Sequence, residues 1–392
     1  MSDIDTVRVD RAHDLYVDTP EALNALCTRL EGSPWLALDT EFIRERTYRA
    51  RLCLIQIASP KLVACIDPLA LPDLEPLRPL LTAPGTVKVL HAAHQDLEIF
   101  HQLYDAVPSP VFDTQIAAAL LGLGEQMGYG RLVSEMLGID LEKGHARTDW
   151  AQRPLDPEQI GYAADDVRYL GEIYLEQRER LATLGRGDWL DEDFRRLSDT
   201  ATYAVDPQAQ WTRLRGIQHL RGHQLCAAQA LAAWREELAQ QADRPRRWIL
   251  ADEVLVDVAR RMPRNTAALA RIRGLPERTL ERHGNTMLEL LEQARARPET
   301  DCPQPAERLV LSTDQEALAD LLMATLRIEA QRQNIGVAML ATRRELERLA
   351  SGDDDLPVLR GWRARLIGDT LLAVRRGERC LRASEDGVRL ED

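Results

Sequence analysis

The stretch Trp35-Leu36-Ala37-Leu38-Asp39-Thr40-Glu41 decides the fold of this 392-residue chain, because an apolar run of strand length ends in two acids. In a strand, residues i and i+2 point to the same face, so the carboxylates of Asp39 and Glu41 crowd one side of the backbone. Left unpaired they repel, and one tends to hold a proton. A divalent cation relieves that repulsion and prefers hard oxygen ligands. The stretch therefore predicts a buried strand that carries part of a cation site.

The composition is typical of a soluble protein with two or three domains. Hydrophobic residues make up 45% of the chain but aromatic residues only 5%, so Leu, Ala, Val and Ile must build the cores. No signal peptide and no run of 18 apolar residues is found, which favours an unsecreted cytoplasmic protein without a membrane partner. The cysteines form no C-x-x-C pair, so we expect neither a disulfide framework nor a zinc ribbon; they are residues 27, 53, 65, 226, 302 and 380.

The net charge of −13 is unevenly distributed along the chain. Residues 1–200 carry a net charge of −14, residues 201–300 a net charge of +4, and residues 301–392 a net charge of −3. Nearly all of the positive charge is arginine, which suits bidentate contact with phosphate. A compositional bias of the genome explains the arginine content equally well. The middle of the chain is therefore one of two alternatives, a solvated surface or a phosphate-binding module.

Hydrophobic periodicity predicts an α/β domain over residues 1–200, in which strands come first and then alternate with helices. Ser59-Pro60 joins the second and third strands as a hairpin. The predicted strands cover residues 35–41, 51–58, 61–66, 87–91 and 111–114. The predicted helices cover residues 19–31, 74–81, 94–104, 115–122, 130–138 and 157–182.

After residue 205 the strand signals end. Residues 208–293 predict four or five helices separated by Gly and Pro, and residues 294–312 read as a linker. Residues 313–376 predict a second all-helical block of similar length, followed by a C-terminal tail at 377–392. The two blocks are compatible with a diverged repeat, although they share little residue identity.

Two further acidic motifs lie in the first domain. Asp96 falls in the first turn of a helix that follows a strand, which is where open α/β sheets place their ligands. Tyr162 and Asp166 are spaced i and i+4 in a predicted helix, so they lie on one face. Asp165 is rotated by roughly 100° from Asp166 and points elsewhere. Packing or solvent contact is the better interpretation of Asp165.

In this order and spacing, the acids resemble the DEDD-type 3′→5′ exonucleases that have a tyrosine in their third motif. The flanking segments resemble the ribonuclease D family in particular; they are Leu54-Ile55-Gln56-Ile57, Ile66-Asp67-Pro68, Thr148-Asp149-Trp150, Arg153-Pro154-Leu155 and Tyr162-Ala163-Ala164-Asp165-Asp166-Val167. Residues 208–293 look like an HRDC domain, the helicase-and-RNase-D C-terminal module. Residues 313–376 are consistent with a second, more diverged one. The resemblance implies a ribonuclease H-like exonuclease domain, a mixed sheet flanked by helices, followed by two all-α HRDC-like domains.

The resemblance also implies a site with two divalent cations, Mg²⁺ or Mn²⁺. Two metal ions roughly 3.5–4 Å apart activate water and stabilise the charge on the attacking and leaving oxygens. Asp39, Glu41 and Asp166 would hold one ion, and Asp39 with Asp96 the other. Tyr162 would orient the attacking water, since a tyrosine with an ordinary pKa near 10 is a hydrogen-bonding group rather than a base.

Several residues have weaker roles in this prediction. Thr40 and Phe42 flank the acids and are candidates for contact with the terminal nucleotide. The resemblance suggests Lys143 as a contact to phosphate. For His91 we favour a hydrogen-bonded residue at a strand end, and for Trp150 packing over base stacking. The arginines at 244, 246, 247, 260, 261 and 264 are either a solvated helix surface or a phosphate-binding surface.

The leading hypothesis is an exoribonuclease that releases 5′-nucleoside monophosphates from RNA 3′ ends, with tRNA precursors as the substrates that the resemblance implies. A DNA 3′→5′ exonuclease is an alternative, because the 2′-hydroxyl contact that separates RNA from DNA is invisible in the sequence. A non-catalytic RNA-binding protein on a nuclease fold is a third hypothesis. A monomer is expected, since the helical modules can enclose the site without a partner.

Overall fold

The computed structural model describes residues 14–141, 148–304, 309–385 and 387–391. Lys143 lies outside the described residues, so its predicted contact with phosphate stays a prediction. The chain divides into two compact units. The first consists of Met1–Glu41, Leu52–Tyr203 and Leu309–Asp392, and the second of Phe42–Arg51 and Ala204–Arg308. In the described ranges, no helix is long and apolar enough to cross a membrane.

A six-stranded mixed sheet forms the centre of the first unit. Its strands are β1 (Leu15–Val17), β2 (Trp35–Ile43), β3 (Arg51–Ser59), β4 (Leu62–Ile66), β5 (Val87–Leu90) and β6 (Val111–Asp113), in the spatial order β1-β4-β3-β2-β5-β6. The predicted β3–β4 hairpin is confirmed as an antiparallel pair, whereas β1–β4, β2–β5 and β5–β6 are parallel. The three-residue β1 is too short for its periodicity to stand out in the sequence, and we did not predict it.

The parallel pairing of β2 with β5 places two of the acidic motifs at the same edge of the sheet. Ala37 is in register with Val89, so the chain leaves both strands in the same direction. Asp39 and Glu41 follow in the last part of β2, and Asp96 follows β5 in the next helix. Strand order and register therefore bring residues 55 or more positions apart to one site.

Helices cover the sheet of the first unit. They are α1 (Pro20–Leu30), α2 (Arg78–Thr82), α3 (His94–Tyr104), α4 (Thr114–Leu120), α5 (Tyr129–Leu137), α6 (Pro157–Arg168), α7 (Leu170–Thr183) and α8 (Asp191–Leu197). The helix predicted at 157–182 is interrupted at Tyr169, which separates α6 from α7. Helix α7 lies directly against the start of β2: a Cβ on Gly171 would lie 2.0 Å from the Trp35 ring, so only glycine allows this approach.

In the second unit, the described part of Ala204–Arg308 is helical and has its own apolar core. Its helices are α9 (His223–Ala242), α10 (Arg246–Ile249), α11 (Asp252–Arg261), α12 (Thr266–Leu269) and α13 (Glu277–Ala296), which confirms the predicted number. Cys226 and Cys302, 76 residues apart, form a disulfide in this core. The sequence predicted no disulfide framework, and this pair is a single bridge, since the other four cysteines, all among the described residues, form no disulfide. The sequence separation hides the contact, which helix packing creates.

The C-terminal block belongs to the first unit. Its helices are α14 (Thr313–Gln333), α15 (Val337–Leu340), α16 (Arg343–Ala350), α17 (Gly361–Arg363) and α18 (Asp369–Arg375), with a π-helical turn at Ala364–Gly368. The predicted C-terminal tail instead forms an antiparallel hairpin of β7 (Cys380–Ser384) and β8 (Gly387–Glu391). The prediction that strands end after residue 205 was therefore wrong. These strands are short and mostly exposed, so no clear apolar face marks them in the sequence.

A stack of tryptophan and arginine side chains attaches this block to the exonuclease part of the unit. The rings of Trp189 and Trp362 are 4.4 Å apart and nearly parallel, with Arg186 over one ring and Arg363 over the other. Arg186 also donates hydrogen bonds to the carbonyls of Leu120 and Gln333. The C-terminal block thus packs on the sheet domain through cation–π and hydrogen-bond contacts.

Candidate active site

Three carboxylates converge at the end of β2. Ligand oxygens of Asp39, Glu41 and Asp166 all lie within 4.8 Å of one another. Asp39 and Glu41 share one face of β2, as the two-residue period predicts, and α6 supplies Asp166. Among the described residues, this is the group of acidic, histidine and cysteine side chains whose spacing suits a metal ion.

Asp96 lies beside this cluster rather than within it. Its carboxylate is 7% exposed and accepts a 2.5 Å hydrogen bond from the Thr40 hydroxyl. Thr40 is itself only 5% exposed. The side chain of Thr40, which we had considered for nucleotide contact, therefore orients the fourth acid. The sequence contained a signal for this separate role of Thr40. In a strand, the residue between two acids that share one face points to the opposite face, so Thr40 does not lie on the same side as Asp39 and Glu41.

The turn that presents Asp96 is held by Asp113, a residue that the sequence analysis did not single out. The Asp113 carboxylate accepts hydrogen bonds from the backbone N–H groups of Ala92 and Ala93, at 3.2 and 2.9 Å. It also caps α4 through the N–H of Gln115. Ala92 has a φ of 56°, a left-handed conformation that non-glycine residues rarely adopt. Asp113 therefore fixes the strained turn from which α3 begins.

His91 has the structural role that we favoured. Its Nδ1 lies 2.9 Å from the Thr114 hydroxyl, and its Nε2 lies 2.9 Å from the carbonyl oxygen of Met127. Both ring nitrogens are thus used in hydrogen bonds within the fold. The Thr114 hydroxyl in turn donates to the carbonyl of Leu90, so the end of β5 is tied to the start of α4.

Burial and mutual repulsion raise the pKa values of the acids. Burial, together with Asp96, Asp166 and Glu41, raises the pKa of Asp39 well above its usual value. Burial, with Asp166 and Asp96 nearby, raises the pKa of Glu41 to about 8. Burial and the adjacent Asp165 raise the pKa of Asp166 to about 7, and burial raises that of Asp96 to about 6. Such shifts are expected where acids lack a cation that would stabilise their charged forms.

Asp165 and Asp166 are adjacent in α6 but have different partners. Asp165 accepts a 2.8 Å hydrogen bond from Nε of Arg168, whose guanidinium also pairs with Asp14. The backbone carbonyl of Asp165 accepts a hydrogen bond from the Tyr129 hydroxyl. Of the two interpretations of Asp165, packing or solvent contact, the structure confirms packing. These contacts fix the orientation from which Asp166 faces Asp39 and Glu41.

Tyr162 is one helical turn before Asp166 and stacks near the ring of Trp150, with centroids 6.4 Å apart. Burial, together with Asp166, Glu41 and Asp39, raises the pKa of Tyr162 to about 12, so its phenol stays protonated near neutral pH. Trp150 is 3% exposed, which confirms packing over base stacking. The loop that carries Trp150 thus supports one side of the Tyr162 ring.

An ion pair anchors this loop. Arg153 contacts both carboxylate oxygens of Asp67, at 2.6 and 2.7 Å, and donates to the carbonyl of Trp150. The hydroxyl of Tyr16 adds a third hydrogen bond to Asp67. These contacts join the segments around Asp67 and Arg153, two of those that carry the family resemblance. Phe42 is a half-buried residue near the end of β2, and its contact with a nucleotide stays a prediction.

Comparisons with known proteins agree with this architecture. Residues 15–182 match a family model described as 3′-5′ exonuclease, and residues 224–291 match the HRDC domain. The Ribonuclease D of Granulibacter bethesdensis is 40% identical over 374 residues, which cover 94% of each chain. That of Pseudomonas paraeruginosa is 37% identical over 372 residues, covering 91% of this chain and 98% of the relative.

A solved structure extends the similarity to the fold of almost the whole chain. The crystal structure of Escherichia coli RNase D, described as an exoribonuclease involved in structured RNA processing, has a TM-score of 0.81 at 32% identity. The match covers 92% of this chain and 98% of that one. Fold and site thus define a hydrolytic 3′→5′ exonuclease with an HRDC domain. The chain belongs to the ribonuclease D family of exoribonucleases.

Proposed function

We propose that the chain trims RNA 3′ ends one nucleotide at a time by a two-metal-ion reaction, with 3′-extended tRNA precursors as substrates and 5′-nucleoside monophosphates as products. The observation that carries the proposal is the convergence of Asp39, Glu41 and Asp166 within 4.8 Å. The similarity to an Escherichia coli enzyme described as acting in structured RNA processing supports RNA as the substrate. Activity as a monomer in the cytoplasm stays a prediction.

The donor set fits divalent cations. It consists of carboxylate oxygens alone, and among the described residues none of Asp39, Glu41 and Asp166 pairs with an arginine or lysine. Burial and the neighbouring acids raise their pKa values. Asp39, Glu41 and Asp166 would hold one Mg²⁺ or Mn²⁺, and Asp39 with Asp96 a second. Bound there, the ions would supply an activated water and stabilise charge on the phosphate oxygens.

The protein's own groups position this chemistry. Tyr162 keeps its proton near neutral pH, so it acts as a hydrogen-bonding group that orients the attacking water. Thr40 holds one oxygen of Asp96 through its hydroxyl. Asp165 and Arg168 fix the α6 backbone next to Asp166. Each of these contacts restricts a reacting or coordinating group to one orientation, which is the main protein contribution in metal-dependent phosphoryl transfer.

The test is digestion of a 3′-tailed tRNA by the purified chain, with Mn²⁺, with Mg²⁺ and with EDTA. We expect stepwise shortening and release of 5′-monophosphates only when a divalent cation is present. Tyr162→Phe keeps the ring but removes the hydroxyl, so it should slow the reaction while preserving the fold. Asp39→Asn should abolish it.

Two outcomes would contradict the proposal. An intact tRNA tail after incubation of the wild-type chain with either metal would refute the exoribonuclease activity. Full activity of Asp39→Asn would refute the metal assignment. A matched DNA oligonucleotide in the same assay separates the RNA-specific enzyme from the DNA exonuclease alternative, because only contacts to the 2′-hydroxyl distinguish the two polymers.

A further inference from the structure

The central sheet carries a fully buried glutamine side chain. Gln56 lies in β3, in the segment 54–57 that carries part of the family resemblance, and it is 0% exposed. Among the described residues, neither its Nε2 nor its Oε1 atom has a hydrogen-bond partner. A buried polar group without a partner costs free energy, so a fold that keeps one calls for a physical reason.

The two-residue period of the strands shows which face of the sheet carries this amide. The residues on either side of Gln56, Ile55 and Ile57, belong to the same apolar core as Leu38, the residue before Asp39. Since successive side chains of a strand point to opposite faces, Gln56 and Asp39 both lie on the face away from that core. Strand β3 is next to β2 in the sheet. The amide and the carboxylate therefore share one face of neighbouring strands.

Helix α6 covers this face of the sheet. Cys65 of β4 is in register with Gln56 and so shares its face, and the Sγ atom of Cys65 lies 3.8 Å from the carbonyl oxygen of Ile160 in α6. The same helix carries Tyr162 and Asp166. Gln56 is thus enclosed between the sheet and the helix that supplies the third acid of the cluster.

We propose that Gln56 is a positioning residue for Asp39, and that its amide nitrogen donates a hydrogen bond to the Asp39 carboxylate when divalent cations are bound. The inference rests on the proposed function and deepens it, because it takes the metal-bound cluster as the state in which the amide has its partner. Neighbouring strands lie about 4.8 Å apart, so a glutamine side chain can reach a carboxylate on the next strand. A charged carboxylate only accepts hydrogen bonds, and an amide nitrogen donates them.

Asp39 is the acid whose orientation matters most in the proposed function, because there it is a ligand of both ions. Its side chain is one methylene shorter than that of Glu41, so its carboxylate stays closer to the sheet, where the amide of Gln56 lies. Groups that hydrogen-bond to a metal ligand fix its orientation, and their loss typically lowers metal affinity about 10- to 100-fold. Gln56 holds Asp39 in this way, as the hydroxyl of Thr40 holds Asp96.

The experiment compares Mn²⁺ binding and thermal stability of the full-length chain with those of Gln56→Met. Methionine keeps the length of the side chain but removes the amide. In calorimetric titration, Gln56→Met should bind Mn²⁺ about 10- to 100-fold more weakly than the wild type. In EDTA its melting temperature should equal or exceed that of the wild type, because the substitution removes a buried amide that has no partner among the described residues.

Gln177→Met is the matched control. Gln177 is also 0% exposed, but its amide nitrogen donates a 3.0 Å hydrogen bond to the carbonyl oxygen of Thr114. Since this substitution removes a hydrogen bond that the fold makes, Gln177→Met should lower the melting temperature and leave the Mn²⁺ affinity unchanged. The two buried glutamines are thus expected to differ, with Gln56 affecting metal binding and Gln177 affecting stability.

The Mn²⁺ dependence of RNA trimming gives a further readout. On a 3′-tailed tRNA, Gln56→Met should raise the Mn²⁺ concentration that gives half of the maximal rate by about 10- to 100-fold. The KM for the RNA, measured at saturating Mn²⁺, should stay at the wild-type value, because the amide contacts a metal ligand and not the RNA.

The outcomes separate this inference from the proposed function. If the wild-type chain trims the tail and Gln56→Met binds Mn²⁺ with unchanged affinity, the positioning role is refuted and the proposed function stands. A melting temperature of Gln56→Met in EDTA that falls as far as that of Gln177→Met assigns Gln56 to the fold and also overturns the role. Weaker Mn²⁺ binding by Gln56→Met, in a chain that cleaves no tail, supports the role and counts against the proposed reaction. A wild-type chain that binds no Mn²⁺ overturns both.

Discussion

Two sets of acidic side chains in the exonuclease domain differ in what neutralises them. Asp67 and Asp165 are paired with Arg153 and Arg168. Asp39, Glu41 and Asp166 lie within 4.8 Å of one another, and in the described ranges none of them pairs with an arginine or lysine. The fold itself neutralises the first set, whereas we propose that cations neutralise the second. The proposed function thus separates acids that build the site from acids that bind metal.

The pKa values express the same contrast. Burial alone would raise the pKa of Asp67, but hydrogen bonds from Arg153 and Tyr16 hold it below its usual value. Burial and neighbouring acids raise the pKa of Glu41 to about 8 and that of Asp166 to about 7. A paired acid favours its charged form, and a clustered acid favours its protonated form. Divalent cations reverse that preference in the cluster.

The largest expected effect is a difference in activity between substitutions of two adjacent residues, Asp166 and Asp165. Asp166→Asn should lower kcat on a 3′-tailed RNA by at least about 100-fold, because loss of a ligand should exceed the 10- to 100-fold typical of outer-shell losses. Asp165→Asn should lower kcat by less than about tenfold, since Arg168 keeps its second partner, Asp14. Steady-state rates of the two variants check this. Equal losses would show that the contrast between paired and clustered acids has no catalytic meaning.

The next effect concerns stability. Arg153→Ala leaves the Asp67 carboxylate, 3% exposed, without its bidentate partner. We expect a loss of about 3 kcal/mol in the free energy of unfolding, at the lower end of the range for broken buried pairs because Arg153 itself is partly exposed. Chemical denaturation measures it.

Arg78→Ala is the matched control for that measurement. It breaks a pair with Glu75 in which both side chains are about half exposed, and such pairs contribute less than about 1 kcal/mol. If the two variants lost equal free energy, the Asp67–Arg153 pair would not be the anchor that we describe.

A smaller effect on metal affinity or activity is expected for Thr40, an uncharged residue that hydrogen-bonds to Asp96. Thr40→Val keeps the shape of the side chain but removes the 2.5 Å hydrogen bond to Asp96. We expect about a tenfold loss of metal affinity or activity, as is usual for groups that orient a metal ligand, with the fold intact. Thr40→Ser keeps a hydroxyl and should retain most of the activity. A Thr40→Val chain with wild-type metal binding would contradict the orienting role.

The sequence revealed the acids of the proposed metal site more readily than the groups that support them. A two-residue period placed Asp39 and Glu41 on one face, and an i to i+4 spacing placed Tyr162 with Asp166. These relations are local, so periodicity reveals them. The Asp67–Arg153 pair joins residues 86 positions apart, and Asp113 acts on a turn 20 positions earlier. Such contacts depend on strand order and helix packing, which local patterns do not encode.

The same limit explains what the sequence did not reveal in the rest of the fold. The Cys226–Cys302 disulfide joins residues 76 positions apart that only the packing of the helical unit brings together. The β7–β8 hairpin is local, but its strands are mostly exposed and lack an apolar face. A strand without a buried face gives a weak alternation signal, so the segment resembled a tail.

A dependence of stability on pH tests the contrast without any substitution. The folded-state pKa values of Glu41, about 8, and Asp166, about 7, lie above the ordinary values of 4.5 and 3.8. Between those limits the folded state binds more protons than the unfolded state, so these groups contribute stability that is complete at low pH and is lost as the pH rises toward 8. Asp67 has a lowered pKa. Its contribution to stability is therefore lost only when the pH falls below 3.8, the ordinary pKa of an aspartate, and that contribution stays constant from pH 5 to 8.

In EDTA, we therefore expect the melting temperature to fall between pH 5 and pH 8, and Mn²⁺ or Mg²⁺ to reduce that fall by replacing the protons. Glu41→Gln removes one of the titrating groups and should flatten the curve, whereas Asp67→Asn should shift the whole curve downward without changing its slope over this range. Calorimetric melting of the three proteins, with and without metal, measures both features. A wild-type melting temperature that rises toward pH 8 in EDTA would mean that the clustered acids are already neutralised by the fold, and the distinction between the two sets of acids would fail.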